Sequence, residues 1–232
     1  MKRVLLKLSG EALSCEGKIY DPSVVSEVAG AIKTAADEGY EIGIVIGAGN
    51  IWRGREGVDM DQVAADRMGM LATMINSIYM KEALIRAGAD AVVMSSVPMH
   101  PFAENYSSDL ARKYLSEGKI VVFGAGLGVP FLSTDTAGAV KAAEIQAEAM
   151  LMAKNVDYIY DKDPKKYPDT AKELKRVKAS EVLALNLKAI DATATAFCMS
   201  NGIPIKVFKL DGANNILMAI RGETLGTEVI PE

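Results

Sequence analysis

Residues Val4 to Gly10 read VLLKLSG: an apolar run broken near its end by one lysine and closed by a hydroxyl and a glycine. Such a run fits a strand buried on both faces of a parallel sheet. A lysine is tolerated there only near the strand end and only with a counter-charge, since an unpaired buried ammonium costs several kcal/mol. A second run, Ile42 to Ile46, ends in Gly47-Ala48-Gly49-Asn50. Turns that carry glycine leave backbone amides free to approach phosphate. Two of them behind parallel strands point to a nucleotide or phosphorylated metabolite held across the carboxyl edge of a sheet. The lysine makes phosphoryl transfer the leading reading.

Outward from these runs the chain alternates short β-rich segments with longer helical patterns. Strands are expected near 3–8, 42–46, 91–94, 120–123, 156–160 and 205–208, and helices near 23–38, 61–87, 108–117, 137–153, 189–200 and 214–221. Asp21-Pro22 starts the first helix and Gly39 closes it, and Gly88 closes the second. The alternation implies an α/β fold: a mostly parallel central sheet with helices on both faces, in one domain spanning 1–232. Asp161 to Lys178, DKDPKKYPDTAKELKRVK, is charged and punctuated by proline, and reads as a strandless surface loop or lid.

The composition narrows the partners. The formal net charge is -4, which gives no basic face for a nucleic acid. Cys15 and Cys198, with a single histidine in the chain, supply neither a disulfide framework nor a zinc site. The apolar stretch after Lys2-Arg3 is cut by Lys7, too short for a signal peptide or membrane span, so the expectation is a cytoplasmic protein.

Further residues carry chemistry beside an ordinary alternative. Arg53 and Arg55 follow the second glycine turn, and guanidinium forks suit phosphate oxygens. Asp66 lies early in a long apolar helix, where it reads as a ribose acceptor or as a helix-start acid favoured by the macrodipole; the methionines beside it read as core filling. Phe123 to Thr136, FGAGLGVPFLSTDT, is a third glycine-rich segment, ending in the hydroxyls and carboxylate of Ser133-Thr134-Asp135. These serve equally as N-caps, as does Asp191 in KAIDATATAF. Three such loops from one sheet edge define a crevice. The chain lacks GxxxxGK[ST] and the HRD and DFG elements, which excludes the usual P-loop and protein-kinase sites.

KLSGEAL at Lys7–Leu13, GAGNIWRG at Gly47–Gly54, ADRMGMLAT at Ala65–Thr73, STDTA at Ser133–Ala137, VDYIYDKDP at Val156–Pro164 and IDATA at Ile190–Ala194 closely resemble the bacterial UMP kinases, a family of the amino acid kinase superfamily. The likeness runs essentially end to end. It implies a three-layer αβα sandwich with an acceptor-nucleotide half at about 1–150 and an ATP half at about 151–232. It also implies transfer of the γ-phosphoryl group of ATP to UMP with Mg2+ carried on the ATP phosphates and no protein-held metal. A homohexamer with GTP as activator and UTP as inhibitor follows from the same resemblance. Residue by residue, it gives Lys7, Leu8, Ser9 and Gly10 to the ATP phosphates, with Gly49 and Arg53 also facing phosphate. Lys154, Tyr160 and Asp163 fall toward the ATP base. UMP falls against Ala48, Arg53, Asp66 and the loop Leu127, Gly128, Val129, Pro130, Phe131, Leu132, Ser133 and Thr134. Lys7, Asp135 and Asp191 match the catalytic positions, the two acids organising the lysine and the metal-bound phosphates.

Two departures stand out: the family's frequent GGGN is GAGN here, and its GTGNPF is Gly126-Leu127-Gly128-Val129-Pro130-Phe131. The first is harmless if Ala48 keeps a negative φ. The second removes a hydroxyl and an amide from Leu127 and Val129. The rival readings are a relative that phosphorylates a carboxylate or carbamate and a non-catalytic nucleotide sensor.

Overall fold

The computed structural model describes residues 2–14, 18–52 and 59–232. In chain order these form β1 (Arg3–Leu8), a 3-10 turn (Gly10–Leu13), α1 (Pro22–Asp37), β2 (Glu41–Ile46), α2 (Gln62–Arg86), β3 (Ala91–Ser95), β4 (Glu104–Asn105), α3 (Ser108–Ser116) and β5 (Ile120–Gly124). There follow α4 (Thr134–Glu144), β6 (Ala149–Lys154), β7 (Ile159–Tyr160), β8 (Glu173–Leu174), β9 (Arg176–Lys178), α5 (Ala179–Ala184), α6 (Ala192–Ser200), β10 (Ile205–Lys209), α7 (Asn214–Arg221) and β11 (Thr227–Ile230).

Nine strands form one sheet in the order β4-β3-β5-β2-β1-β6-β10-β11-β9, while β7 and β8 pair in a separate antiparallel ribbon. Every ladder from β4 to β10 is parallel, and the one antiparallel pair in the large sheet is β10 with β11. The α/β sandwich expected from the sequence is therefore present. β1 lies at its centre, with β2 on one side and β6 on the other. The strand order reverses direction there, so a crevice opens at the carboxyl end of β1.

The pleat of β1 decides which way its lysine points. Val4, Leu6 and Leu8 enter the core beneath α1, α2 and α7, while Leu5 enters the core beneath α3, α4 and α6. Side chains alternate along a strand, so Lys7 shares the Leu5 face and meets α4. Gly138 lets that helix lie close to the sheet: a methyl group on it would stand 2.5 Å from the Met150 Cε and 3.2 Å from the Leu5 Cδ2. The expected helix ends hold. Asp21 accepts hydrogen bonds from the Ser23 and Val24 amides with Pro22 opening α1, and Gly39 and Gly88 take φ of +90° and +86°.

Three expectations need correction. The helix expected over 137–153 is two elements: α4 stops near Ile145, Gln146 takes φ of +58°, and Ala149–Lys154 becomes β6. Alanine and methionine favour helix locally, but insertion between β1 and β10 buries this run on both faces, and tertiary pairing overrides propensity. The strand expected at 156–160 shrinks to Ile159–Tyr160. The stretch 161–178 is not strandless, because Glu173–Leu174 pairs with β7 and Arg176–Lys178 joins the sheet edge through Val177 opposite Val229. Segments of two or three residues carry no readable periodicity.

Candidate active site

Three loops meet at the carboxyl end of β1. Gly10 follows the strand and packs on the second glycine turn: a methyl group there would lie 2.7 Å from the Gly47 carbonyl oxygen and 2.8 Å from the Gly49 nitrogen, and would also strike the Asn50 side chain. One on Gly47 would stand 3.4 Å from the Thr134 hydroxyl at the start of α4. The Ser9 hydroxyl oxygen is buried and has no hydrogen-bond partner among the described residues. A buried hydroxyl beside a glycine turn with no protein partner is free to bond a water or a ligand oxygen. Ala48 keeps out of the left-handed region, so its methyl group strains nothing.

At this junction Lys7 Nζ stands 2.8 Å from Asp135 Oδ1, and Lys154 Nζ stands 2.6 Å from Asp135 Oδ2. Asp135 occupies the first turn of α4, whose N-cap Ser133 accepts a hydrogen bond from the Thr136 amide at 3.1 Å. Burial pushes the Asp135 carboxyl up, but the Lys7 and Lys154 ammoniums overcome that and hold it below the usual carboxylate range. Burial lowers Lys154, with Lys7 adding to the effect and Asp135 opposing it. The cluster thus carries two cations and one anion beside the positive end of a helix, an environment that attracts further negative charge.

Two cavities flank the cluster. The larger, about 500 Å³, is lined by Ser133, Asp135, Lys154 and Asp191 on its polar side and by residues of the α5–α6 region such as Val182 and Leu187. Asp191 is the N-cap of α6 and accepts a 2.7 Å hydrogen bond from the Thr193 amide, and the same residue lines the cavity. The smaller cavity, about 120 Å³, is lined by Ala48, Asp66, Leu127, Val129, Leu132 and Thr134 together with Trp52 and Thr73. Asp66 Oδ2 accepts the Phe131 amide at 2.7 Å, and Gln62 donates to Oδ1 at 2.8 Å. Phe131 holds φ of +68° and is exposed, and neither it nor Gly128 nor Pro130 lines that cavity.

The residues expected toward the base of ATP stand at the end of β6, on β7 and in the connection after it. Tyr160 ends β7, and Asp163 lies in the connection from β7 to β8, where its Oδ1 accepts the Lys165 amide at 2.9 Å; neither bonds to the Lys7 cluster. Lys154, expected toward the base of ATP, has its ammonium on Asp135. Gly49 faces Glu11, which also accepts a 2.8 Å hydrogen bond from the Asn155 amide group and so links the first loop to the exit of β6. Arg53, Arg55 and Cys15 lie outside the described residues.

Sequence reasoning missed three supporting side chains. Thr73 accepts the Ala125 amide at 3.1 Å, Trp52 donates to the Ala65 carbonyl at 2.9 Å, and Asn76 donates to the Gly47 carbonyl at 2.7 Å. All three stand in or beside the long apolar helix, whose pattern advertises packing and hides polar duty.

A lysine and a second lysine bridged by one aspartate, at the switch point of a parallel sheet and beside a cavity, form a cationic junction suited to phosphate and built without a P-loop. The sequence model of the amino acid kinase family matches residues 2–209, and the chain belongs to that family. Among solved structures it is similar to UMP kinase from Bacillus anthracis, with a TM-score of 0.94 and 35% identity over 100% of this chain and 96% of that one. It is similar to UMP kinase from Ureaplasma parvum, with a TM-score of 0.92 and 34% identity over 99% and 98% of the two chains. Uridylate kinase from Archaeoglobus fulgidus follows at a TM-score of 0.74 and 25% identity over 99% and 100%.

Proposed function

We propose that the chain is an ATP-dependent UMP kinase that converts ATP and UMP to ADP and UDP. The observation that carries this reading is the Lys7–Asp135–Lys154 cluster between two unequal cavities, on a fold that shares 35% identity with a UMP kinase along its whole length. ATP occupies the larger cavity, with its phosphates toward Lys7, Ser9 and Gly10. UMP occupies the smaller one, beside Asp66 and the loop 127–134, which widens to admit it.

The chemistry needs little from the protein beyond alignment and charge neutralisation. An oxygen of the UMP phosphate attacks the γ-phosphorus of ATP, and the bond from that phosphorus to the β–γ bridging oxygen breaks, leaving ADP. The attacking oxygen is already ionised at neutral pH, so no general base is required. Lys7 stabilises the moving group, Asp135 aims Lys7, and Asp191 faces the same cavity. Hard cations such as Mg2+ take a few carboxylates plus phosphate oxygens. Both Asp135 oxygens are engaged by the two lysines, so Mg2+ would be carried mainly on the ATP phosphates, neutralising their charge, with Asp191 on the cavity wall facing it.

The same reading includes the acceptor half at about 1–150 and the ATP half at about 151–232, a cytoplasmic place in pyrimidine nucleotide biosynthesis, and a homohexamer activated by GTP and inhibited by UTP. In support of self-association, α2 exposes Met68, Leu71 and Ile75 at 39%, 54% and 51% on one stripe. Among the described residues no helix is long and apolar enough to cross a membrane. A coupled ADP-release assay across UMP, CMP, dTMP and AMP tests the reading. Release with UMP supports it, and none with UMP refutes it.

A further inference from the structure

The amide of Asn76 is wholly buried in α2, and all of its hydrogen-bonding capacity is used. Its Nδ2 donates to the Gly47 carbonyl at 2.7 Å and to Asn50 Oδ1 at 2.8 Å. Its Oδ1 accepts from the Tyr20 hydroxyl at 2.7 Å and from Asn50 Nδ2 at 3.1 Å. Asn50 Nδ2 also reaches the Ile19 carbonyl at 3.0 Å. Burial, with Tyr79 adding to it, pushes the Tyr20 phenol up to about 12, so Tyr20 remains a donor throughout the neutral range. The Tyr20 ring is held against Tyr79, with centroids 4.1 Å apart.

Core packing alone does not call for this network, because an apolar side chain would fill the same place without four polar partners to satisfy. Its effect is local to one loop. The Gly47 carbonyl and the Asn50 side chain that Asn76 grips are two of the groups against which Gly10 packs. The glycine turn after β1 and the glycine turn after β2 therefore touch through atoms that Asn76 fixes. Asn76 lines neither cavity.

We propose that Asn76 is a positioning residue for phosphoryl transfer: it sets the spacing between the Gly10 loop and the Gly47–Asn50 loop, and through it the line from donor phosphate to acceptor phosphate. This rests on the kinase reading above. Binding of each nucleotide depends mainly on its own cavity, whereas transfer depends on the distance between the two. Loss of Asn76 therefore acts on kcat and spares KM.

The test measures kcat, KM for ATP and for UMP, and thermal melts for wild type, Asn76→Ala, Asn50→Ala, the double variant and Tyr20→Phe. Since misplacement by about 1 Å costs on the order of 100-fold in rate, Asn76→Ala should lose about 10- to 100-fold in kcat with both KM values within about threefold of wild type. The double variant should be no worse than the poorer single variant by more than about threefold, because both substitutions break one network. A kcat for Asn76→Ala within about threefold of wild type, or losses that multiply in the double variant, would overturn the proposal. If Asn76→Ala melts below the assay temperature, Tyr20→Phe decides: it keeps the ring contact and removes one hydrogen bond. A several-fold loss in kcat supports the proposal, and an unchanged kcat overturns it. A wild type that does not turn over UMP would sink the kinase reading itself, a result distinct from active wild type with tolerant variants.

Discussion

Asp135→Asn isolates the charge that holds the two lysines together. The side chain is nearly isosteric, so packing of α4 on the sheet is kept, but two ammoniums now face a neutral amide. Asp135 and Lys7 are 10% and 7% exposed at the side chain and Lys154 is 20% exposed, so solvent screens the change little. Breaking a buried pair by removing one partner costs about 3–5 kcal/mol. At about 2–4 °C per kcal/mol for a chain of this size, the melting temperature at pH 7 should fall by roughly 6–20 °C. The pH dependence has a definite sign. The Asp135 carboxyl in the fold is held below its unfolded value of 3.8. Its contribution is therefore complete above that value and lost as pH falls through the lower folded one, so wild type and variant should converge in acid. The assay is a set of melts by circular dichroism from acid to neutral pH without nucleotide, repeated with inorganic tripolyphosphate. The polyanion should raise the variant's melting temperature more than the wild type's, since it supplies the missing negative charge. A variant that melts within about 2 °C of wild type at pH 7 would refute the idea that Asp135 neutralises the two lysines.

Lys7→Ala removes one preorganised donor from the transferred group and should lower kcat by roughly two to three orders of magnitude, measured by coupled ADP release, with a native circular dichroism spectrum. Gly10→Ala puts a methyl group on the Gly47 carbonyl and the Gly49 nitrogen, which are backbone atoms unable to swing away; KM for ATP should rise and kcat fall at least about tenfold, by the same sensitivity to misplacement. Leu71→Glu with Ile75→Glu charges the exposed stripe of α2, and light scattering should report a smaller assembly than wild type.

The parts of the site carried by single strands and their turns were legible in sequence. VLLKLSG announces a strand buried on both faces, and its period of two already determines that Lys7 and Leu5 share a side. Ser133, Asp135 and Asp191 were legible as helix starts, and that local role is the one the structure keeps while placing them on a cavity. The ion pair of Lys154 with Asp135 is not legible in the sequence for a physical reason: it depends on Ala149–Lys154 becoming a strand, and a run of alanine and methionine after a helix with no glycine stop hides that break. The left-handed turn at Gln146 is made by a residue with no special claim to it. Asn76 was invisible because one polar residue inside a helix rich in methionine and isoleucine gives no periodic signal. What it does depends on the return of Tyr20 and the Gly47–Asn50 loop to the same point.

The placement of the two lysines follows from register more than from any motif. Leu8 stands level with Ala153 in the parallel ladder between β1 and β6, so Lys154 emerges one residue beyond it, on the face that Met150, Met152 and Lys7 share. Parallel strands are fixed by hydrogen bonds on both sides, so the sheet sets where both lysine stems begin. A helix N-terminus carrying Asp135 then meets both. One carboxylate against two ammoniums and a helix dipole leaves this cluster paired but still net positive. That residual charge is what two phosphate chains need, and it is available without rebuilding the sheet when they arrive.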